Sequence, residues 1–343
     1  MLRSALLVMI VVTVIGDTGM AQQPAVATAV QPPGTGQQAT VPEISYESAP
    51  NVLMLPVDLY LGEAAGVALN SKGHIFVFTR SGHTRLFEFD RDGKFLKEIG
   101  KDLYGFDFAH VVRIDKDDNI WCVDEGSNMV IKFSPEGRVL MVLGRKWELV
   151  EGRPEQPRPG SPPPVPRTGV FNRPTDVAWD GAGNIFISDG YNNSRVVKID
   201  KDGNWIKAWG QRGKAPGEFN TPHSIATDAN GNVYVGDRAN SRIQVFDSEG
   251  TFLREITGVG APWAICITPG PKQYLYTSDS VPGRIYKLDL SGKILGVFGK
   301  AGKRMGQFGW VHEMDCRAEN ELWVGELLNW RIQKLILHPV HTD

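Results

Sequence analysis

The sequence predicts an all-β fold, a six-bladed β-propeller, from three observations. First, a unit of roughly 40–50 residues recurs six times within residues 44–338. Second, each unit consists of short alternating strands separated by turn signals such as Asn230-Gly231 and Asp202-Gly203. Third, four such strands make up a propeller blade, whereas most solenoid repeats of this length are helical. Six units therefore predict six blades around a central channel.

The closing strand of the propeller is predicted from what the last unit lacks. Five units end in a fourth strand, for example GKFLKEIG and GRVLMVLG, but the chain ends before the sixth unit supplies one. The segment NVLMLPVDLYLG, which starts at Asn51, has strand character and no other place in the fold. We expect this N-terminal strand to complete the last blade, so that no edge stays unpaired.

The ends of the chain and one insert lie outside the repeats. Residues 1–21 carry Arg3, an apolar core and small residues before a cut after Ala21, which is the pattern of a secretory signal peptide. Residues 22–43 predict a disordered lead-in. Residues 151–169 are interpreted as a Pro-rich surface loop and residues 339–343 as a tail. We therefore expect an exported protein, either periplasmic or secreted.

Charge and cysteine content narrow the partners and the redox chemistry. The formal net charge of the 343 residues is −2, so nothing favours binding to nucleic acid or to an anionic membrane surface. We expect no membrane association after signal cleavage, and a monomer. Cys122, Cys266 and Cys316 fall in strands of three different blades, which predicts buried free thiols rather than a disulfide.

Three histidines occupy one position of the repeat in alternate units. This position, five residues before a recurring Asp or Asn, opens the innermost strand of each blade, so its residues ring one mouth of the channel. Alternate blades of a sixfold propeller are related by about 120°, which suits a three-histidine metal site with a position open for water or substrate. The ligand set favours zinc only slightly over iron or copper. The position holds, in chain order, Ala65, His110, Thr175, His223, Trp263 and His312.

The loop after the second strand of each blade is expected at the same mouth. In the first four units it holds Arg80, Glu125, Tyr191 and Arg238. Arginines and a tyrosine facing a metal predict a site for an anionic substrate with a base nearby. Recurring aspartates beside these loops are expected to tie the turn instead, and they are Asp124, Asp189 and Asp237.

Together, these units resemble the NHL repeats of the peptidyl-α-hydroxyglycine α-amidating lyase family. The most specific segments are GVALNSKGHIFVFTR, PTDVAWDGAGNIFISDGYNNSR, TPHSIATD and DRANSRIQVF, and the resemblance covers residues 66–335. It implies zinc on His110, His223 and His312, catalysis by Tyr191 and Arg80, and substrate binding by Arg80 and Arg238. It also implies calcium in the channel, bound by the carbonyl oxygens of Val67 and Val112 and by the carboxylate of Glu313, where the family usually has Asp.

The implied activity is that of a carbon–nitrogen lyase. It would cleave the N–C bond of a peptidyl-α-hydroxyglycine-like carbinolamide, a small-molecule or peptide substrate with a carboxylate, to an amide and glyoxylate. The sequence leaves open whether Tyr191 or a water activated by the metal is the base. As a base, Tyr191 needs its pKa, normally near 10, lowered by zinc and Arg80.

Two alternatives belong to other classes of protein. One is a non-catalytic NHL propeller that binds a protein or a glycan, and the alternating histidines argue against it. The other is a different metal-dependent propeller hydrolase, such as a lactonase. Carboxylates and asparagines around calcium are usual at such sites, whereas the histidine position of this repeat contains no carboxylate.

Overall fold

Six four-stranded antiparallel sheets, arranged around a channel, make up residues 41–147 and 167–338, which the computed structural model describes. The predicted all-β, six-bladed propeller is confirmed. The signal peptide, the tail, nearly all of the lead-in and most of the Pro-rich insert lie outside the described residues. Among those residues, no helix has both the length and the apolar character needed to cross a membrane.

The strands follow the chain blade by blade, from the channel outwards. An N-terminal strand, β1 (Ser45–Ala49), precedes the first blade. Blade 1 contains β2 (Glu63–Leu69), β3 (Ile75–Ser81), β4 (His83–Phe89) and β5 (Phe95–Ile99). Blade 2 contains β6 (Ala109–Ile114), β7 (Ile120–Asp124), β8 (Met129–Phe133) and β9 (Val139–Gly144). Blade 3 contains β10 (Asp176–Trp179), β11 (Ile185–Asp189), β12 (Arg195–Ile199) and β13 (Trp205–Trp209).

The other three blades repeat this order. Blade 4 contains β14 (Pro222–Thr227), β15 (Val233–Asp237), β16 (Arg242–Phe246) and β17 (Phe252–Ile256), with a short 3-10 helix at Arg238–Asn240. Blade 5 contains β18 (Pro262–Ile267), β19 (Tyr274–Asp279), β20 (Arg284–Asp289) and β21 (Ile294–Phe298). Blade 6 contains β22 (Val311–Ala318), β23 (Glu321–Glu326) and β24 (Arg331–His338), and its fourth strand is β1.

The N-terminal strand closes blade 6, but the predicted segment was wrong. It is β1 that pairs antiparallel with β24, with Tyr46 opposite Leu337. The segment from Asn51 instead runs beside blade 1, where Met54 makes one bridge to Lys94, and Leu59 and Leu61 are buried in a core cluster. Its apolar residues reflect this packing rather than a strand, and Pro56 within it cannot donate to a hydrogen-bond ladder.

Residues 41–43, before the predicted boundary at residue 44, pair with blade 5. Glu43 forms a parallel bridge with Val297 of β21. The N–H of Ile44 donates to the carbonyl of Val297, and the N–H of Val297 donates to the carbonyl of Pro42, both at 2.9 Å. Residues 41–43 therefore extend the outer edge of blade 5, and the prediction that the disordered lead-in includes them was wrong.

Cys266 and Cys316 form a disulfide, contrary to the prediction of free thiols. They lie on β18 and β22, the innermost strands of neighbouring blades, and their Cα atoms are 6.0 Å apart. The prediction treated separate blades as separate environments, but innermost strands converge on the channel, and this Cα distance is within disulfide range. Cys122 is buried and free, as expected.

Recurring aspartates bring the two loops of each blade together at the histidine mouth. Asp124 accepts hydrogen bonds from the N–H groups of Phe108 and Ser127, and so connects the loop before β6 with the loop after β7. Asp189 accepts the N–H of Asn172 in the loop before β10, and Asp237 accepts the N–H of Asn220 in the loop before β14. These carboxylates hold the start of the innermost strand against the loop after the second strand, which is the geometry the site requires.

Candidate metal centre and active site

Three buried histidines converge at one mouth of the channel. They lie on the innermost strands of blades 2, 4 and 6, and one candidate ligand atom from each lies within 4.8 Å of the others. Their ring centroids are 4.5–5.1 Å apart, and their exposed fractions are 0–2 %. The structure thus brings together the three predicted metal ligands, which are His110, His223 and His312.

The remaining blades contribute groups that orient two of these rings. Nδ1 of His223 lies 2.7 Å from the carbonyl oxygen of Trp263, and Nδ1 of His312 lies 2.8 Å from that of Ala65. A carbonyl accepts only from a protonated nitrogen, so Nε2 of each neutral ring is left unprotonated. Histidine ligands to metals typically have such a partner on the other nitrogen. Ala65 and Trp263 occupy the same repeat position as the histidines. Blades 4 and 6 therefore provide these two imidazoles, and blades 5 and 1 provide the carbonyls that orient them.

The charge state of the histidines suits a metal. Burial lowers the pKa of all three rings well below 6.5, and the positive charges of Arg80 and Arg238 lower it further. Neutral imidazole is the form that binds metal ions. Nδ1 of His110 is buried and has no hydrogen-bond partner within the described part of the chain. Three buried, neutral rings, two of them oriented by carbonyls, fit a zinc ion.

Tyr191 lies beside the histidines, as predicted. Its hydroxyl oxygen is 3.1 Å from Nε2 of His223 and 3.4 Å from Nε2 of His110. The guanidinium carbons of Arg173 and Arg238 lie 4.7 Å and 5.4 Å from the centroid of its ring. Burial and the negative charge of Glu125 raise the pKa of Tyr191, while Arg238 and Arg80 oppose them. The net direction is upward, so these residues alone do not lower this pKa as a tyrosine base requires.

Arg80 has one nitrogen available for an anion. Its Nε donates to the carbonyl of Ala109 at 2.6 Å, and its Nη1 lies 3.5 Å from a carboxylate oxygen of Glu63. The guanidinium carbon is 4.0 Å from the ring centroid of Phe108. Its Nη2 is buried and makes no hydrogen bond to any described residue. A buried donor of this kind is costly unless a ligand satisfies it.

Sequence reasoning missed an ion pair at this mouth. Nη2 of Arg173 donates to Oε1 of Glu125 at 2.8 Å, and Oε2 of Glu125 lies 3.9 Å from Nε2 of His110. Arg173 stands at the start of the third repeat, and this position was the one feature of the sequence that could have pointed to it. Its partner Glu125 lies in a different blade, so the repeat pattern does not reveal the pair. With Arg80 and Arg238 nearby, the guanidinium groups outnumber the carboxylates and favour an anionic ligand.

An apolar rim of Phe108, Trp263, Trp310 and Leu328 lies beside the charged groups. The rings of Trp263 and Trp310 are 5.3 Å apart, and Arg238 lies 4.6 Å from the ring centroid of Trp263. Phe108, Trp310 and Leu328 are 37–51 % exposed. The mouth therefore combines a cationic centre with apolar surface on which an uncharged part of a ligand can pack.

The contacts deeper in the channel do not fit the calcium expectation. The N–H groups of Val67 and Val112 both donate to Oε2 of Glu313 at 3.1 Å. Oε1 of Glu313 faces Nε of Arg113 at 3.3 Å. Calcium requires a shell of oxygen ligands, and the expected carboxylate is instead surrounded by N–H donors and a guanidinium.

The fold and the site define a six-bladed β-propeller with a buried three-histidine centre at one end of its channel. A family model described as a six-bladed β-propeller matches residues 171–292. The solved structure of a streptogramin B lyase covers 86 % of this chain and 98 % of its own, with a TM-score of 0.58 and 15 % identity, and supports the fold alone.

Sequence comparison identifies relatives of which some are named as amidating monooxygenases and others as amidating lyases. The chain is 30 % identical over 311 residues to peptidyl-glycine alpha-amidating monooxygenase B of Xenopus laevis, which covers 79 % of this chain and 33 % of that protein. It is 32 % identical over 167 residues to a probable peptidyl-alpha-hydroxyglycine alpha-amidating lyase of Caenorhabditis elegans. This match covers 42 % of the present chain and 43 % of that protein. The chain is thus related to the peptidyl-α-hydroxyglycine α-amidating lyases, as its repeats indicated, and spans about a third of the length of the first relatives it matches.

Proposed function

We propose that this protein is a zinc-dependent lyase that cleaves the N–C bond of a peptidyl-α-hydroxyglycine-like carbinolamide. The products are an amide and glyoxylate. The observation that carries this proposal is the Tyr191 hydroxyl 3.1 Å from Nε2 of His223, at a mouth where Arg80 has an unsatisfied donor. The names of the relatives support the same reaction class.

The three histidines would hold the metal that activates the substrate hydroxyl. Zinc on His110, His223 and His312 would supply a Lewis acid that acidifies this hydroxyl. The protein's part is to keep the imidazoles neutral and oriented. The carbonyls of Trp263 and Ala65 fix the rings of His223 and His312, and burial keeps all three uncharged.

Tyr191 is placed to move the proton. As the phenolate, Tyr191 takes the proton from the substrate hydroxyl and becomes a neutral phenol, and the electrons left on the substrate oxygen form the new C=O bond of glyoxylate. The C–N bond breaks, its electron pair goes to nitrogen, and Tyr191 returns the proton to that nitrogen. Atoms and charge balance without consuming water, which distinguishes this lyase step from hydrolysis. The cations Arg238 and Arg80 favour the phenolate from which this step starts, and a zinc ion beside the hydroxyl would favour it further.

The substrate carboxylate has a separate place at this mouth. Nη2 of Arg80 is its first partner, and Arg238 is the second, because Arg173 is already engaged by Glu125. Two guanidinium groups can bind one carboxylate with charge-assisted hydrogen bonds. The apolar rim would then pack against the acyl part of the substrate, so that apolar or aromatic acyl groups are preferred.

α-Hydroxyhippurate, with its aromatic acyl group, tests this function directly. The purified protein with bound zinc should release glyoxylate and benzamide in equal amounts, and elemental analysis should find about one zinc per chain. Hippurate, which lacks the hydroxyl, is the matched control and should give neither product. A zinc-loaded protein that forms no glyoxylate would rule out the lyase. Calcium without zinc would favour the hydrolase alternative, and an inert metal-loaded propeller would favour the binding alternative.

We further infer that the protein is exported. The signal-peptide pattern lies outside the described residues, but the Cys266–Cys316 disulfide supports an oxidising compartment. Protein recovered from the periplasm or medium should begin at Gln22, and thiol titration after denaturation should find one free thiol, that of Cys122. Recovery of an uncleaved chain with three free thiols from the cytoplasm would contradict export.

A further inference from the structure

An arginine with a largely buried guanidinium lies among the innermost strands, deeper in the channel than the histidines. Arg113 on β6 forms a two-bond fork with Asp176 on β10, with Nε–Oδ1 at 2.9 Å and Nη2–Oδ2 at 2.7 Å. Its Nη1 donates to the carbonyl of Met314 at 3.1 Å, and its Nη2 to that of Ile265 at 3.4 Å. One guanidinium thus connects blades 2, 3, 5 and 6.

The two carboxylates around this guanidinium reach the remaining blades. Asp176 and Glu313 occupy the same repeat position in blades 3 and 6, which face each other in a six-bladed ring. Oδ2 of Asp176 accepts the N–H of Ile225 in blade 4 at 3.1 Å. Oε2 of Glu313 accepts the N–H groups of Val67 and Val112 in blades 1 and 2. With the guanidinium contacts, this cluster joins the innermost strands of all six blades.

Small residues on the neighbouring innermost strands leave space for the cluster. An added Cβ at Gly66 would lie 2.5 Å from Oε2 of Glu313 and 2.6 Å from the backbone nitrogen of Val112, so blade 1 needs glycine where it meets both the carboxylate and blade 2. The repeat position of Arg113 is alanine in blades 1, 3 and 4, at Ala68, Ala178 and Ala226. A long cationic side chain at a position that is otherwise mostly small indicates a role particular to blade 2.

The charges of the cluster require a cation. The side chains of Asp176 and Glu313 are 0 % exposed, and that of Arg113 is 14 % exposed. Buried carboxylates are strongly destabilising unless a positive charge and hydrogen-bond donors surround them. Burial alone would lower the pKa of Arg113, but Asp176 and Glu313 raise it above its ordinary value, so the guanidinium stays charged.

We propose that Arg113 is the resident cation of the channel and takes the place of the calcium ion that the family resemblance implied. The guanidinium forms two hydrogen bonds to Asp176, lies 3.3 Å from Oε1 of Glu313 and donates to carbonyls of two further strands, and so provides the positive charge that a bound divalent ion would otherwise provide. The folded protein is accordingly independent of calcium. Removing the guanidinium leaves two buried carboxylates and inward-facing carbonyls, a set of oxygens that suits a hard divalent cation.

A cavity at the opposite mouth gives an ion access to this cluster. It has a volume of about 290 Å³, and Arg113, Asp115, Asp315 and the two disulfide cysteines are among its lining residues. An ion added to an Arg113 variant can therefore reach the carboxylates without passing the histidines. This separates the cluster experimentally from the proposed zinc centre.

Thermal unfolding with and without calcium tests the proposal. In buffer depleted of calcium but supplied with zinc, adding about 1 mM CaCl₂ should leave the Tm of the wild-type protein unchanged within about 1 °C. Arg113→Ser should lower Tm by roughly 10 °C in depleted buffer. Calcium, but not magnesium, should restore several degrees of this loss. The oxygen atoms left in the channel form a large and irregular site, whereas magnesium requires a compact octahedral one.

Two further variants keep the test decisive. Arg317→Ser removes an arginine that lines the same cavity but is 39 % exposed, and it should shift Tm by less than about 2 °C with no response to calcium. Arg113→Lys keeps the charge and should remain insensitive to calcium even if the serine variant does not fold. A wild-type Tm that rises with calcium, or one calcium bound per wild-type chain by calorimetry, would overturn the proposal. So would a folded Arg113→Ser protein that is indifferent to calcium.

Discussion

Replacing His223 by glutamine is expected to abolish stoichiometric zinc binding and to lower kcat for α-hydroxyhippurate by about 10³-fold or more. Losing one of three ligands opens the site and leaves the ion weakly held. The hydroxyl then loses an activation worth several kcal/mol, and each 1.36 kcal/mol corresponds to a factor of ten in rate. Zinc content by elemental analysis and initial rates of glyoxylate release measure the two effects on the same preparation.

The control for this variant is the same exchange at a histidine away from the site. His338 is exposed at the end of β24 and lies 3.6 Å from Glu47, so His338→Gln should retain both zinc and turnover. His223→Gln loses the hydrogen bond to the Trp263 carbonyl, which is worth about 1 kcal/mol, so its Tm should fall by only a few degrees. A stable His223→Gln protein with full zinc content and turnover would exclude this histidine as a ligand.

The fold was predictable wherever the repeat determines it. Six units of four strands specify six blades, because each innermost strand is followed by a regular antiparallel meander. The repeat did not specify the closing strand, because two N-terminal segments precede blade 1 and the repeat does not show which of them pairs with the free edge of blade 6. β1, with the sequence SYESA, is less apolar than the segment after Asn51, yet only β1 matches the ladder of β24. The apolar content of the second segment reflects its burial beside blade 1, and it carries no information about strand pairing.

The site was predictable to the extent that it follows from the symmetry of the blades. His110, His223 and His312 share one repeat position, so the rotation between blades alone brings them together. Contacts between different positions in different blades have no such signature. The Arg173–Glu125 pair, the fork of Arg113 on Asp176 and the disulfide between Cys266 and Cys316 are of this second kind. Each depends on side-chain reach across the channel or its mouth, which a single repeated pattern does not encode.

Tyr191→Phe is expected to lower kcat for α-hydroxyhippurate by about 10²- to 10⁴-fold while KM and zinc content change little. The substitution removes one oxygen, 3.1 Å from Nε2 of His223, and keeps the ring that stacks with Arg173 and Arg238. Loss of a positioned proton-transfer group typically costs this range in rate. Because Arg80 and Arg238 remain, the substrate carboxylate should still bind, so the defect belongs to kcat rather than KM.

The matched control is Tyr234→Phe, which removes a buried phenol that hydrogen-bonds to Asp228 and Arg254 instead of the histidines. It should cost some stability but leave kcat unchanged. If Tyr191→Phe retains full turnover with zinc bound, Tyr191 is not the base, and the proton must go to a water activated by the metal. If it instead raises KM with kcat intact, Tyr191 contributes to substrate binding. A fall in kcat that the control does not share would assign the proton transfer to the Tyr191 hydroxyl, because the two variants remove the same group from differently placed rings.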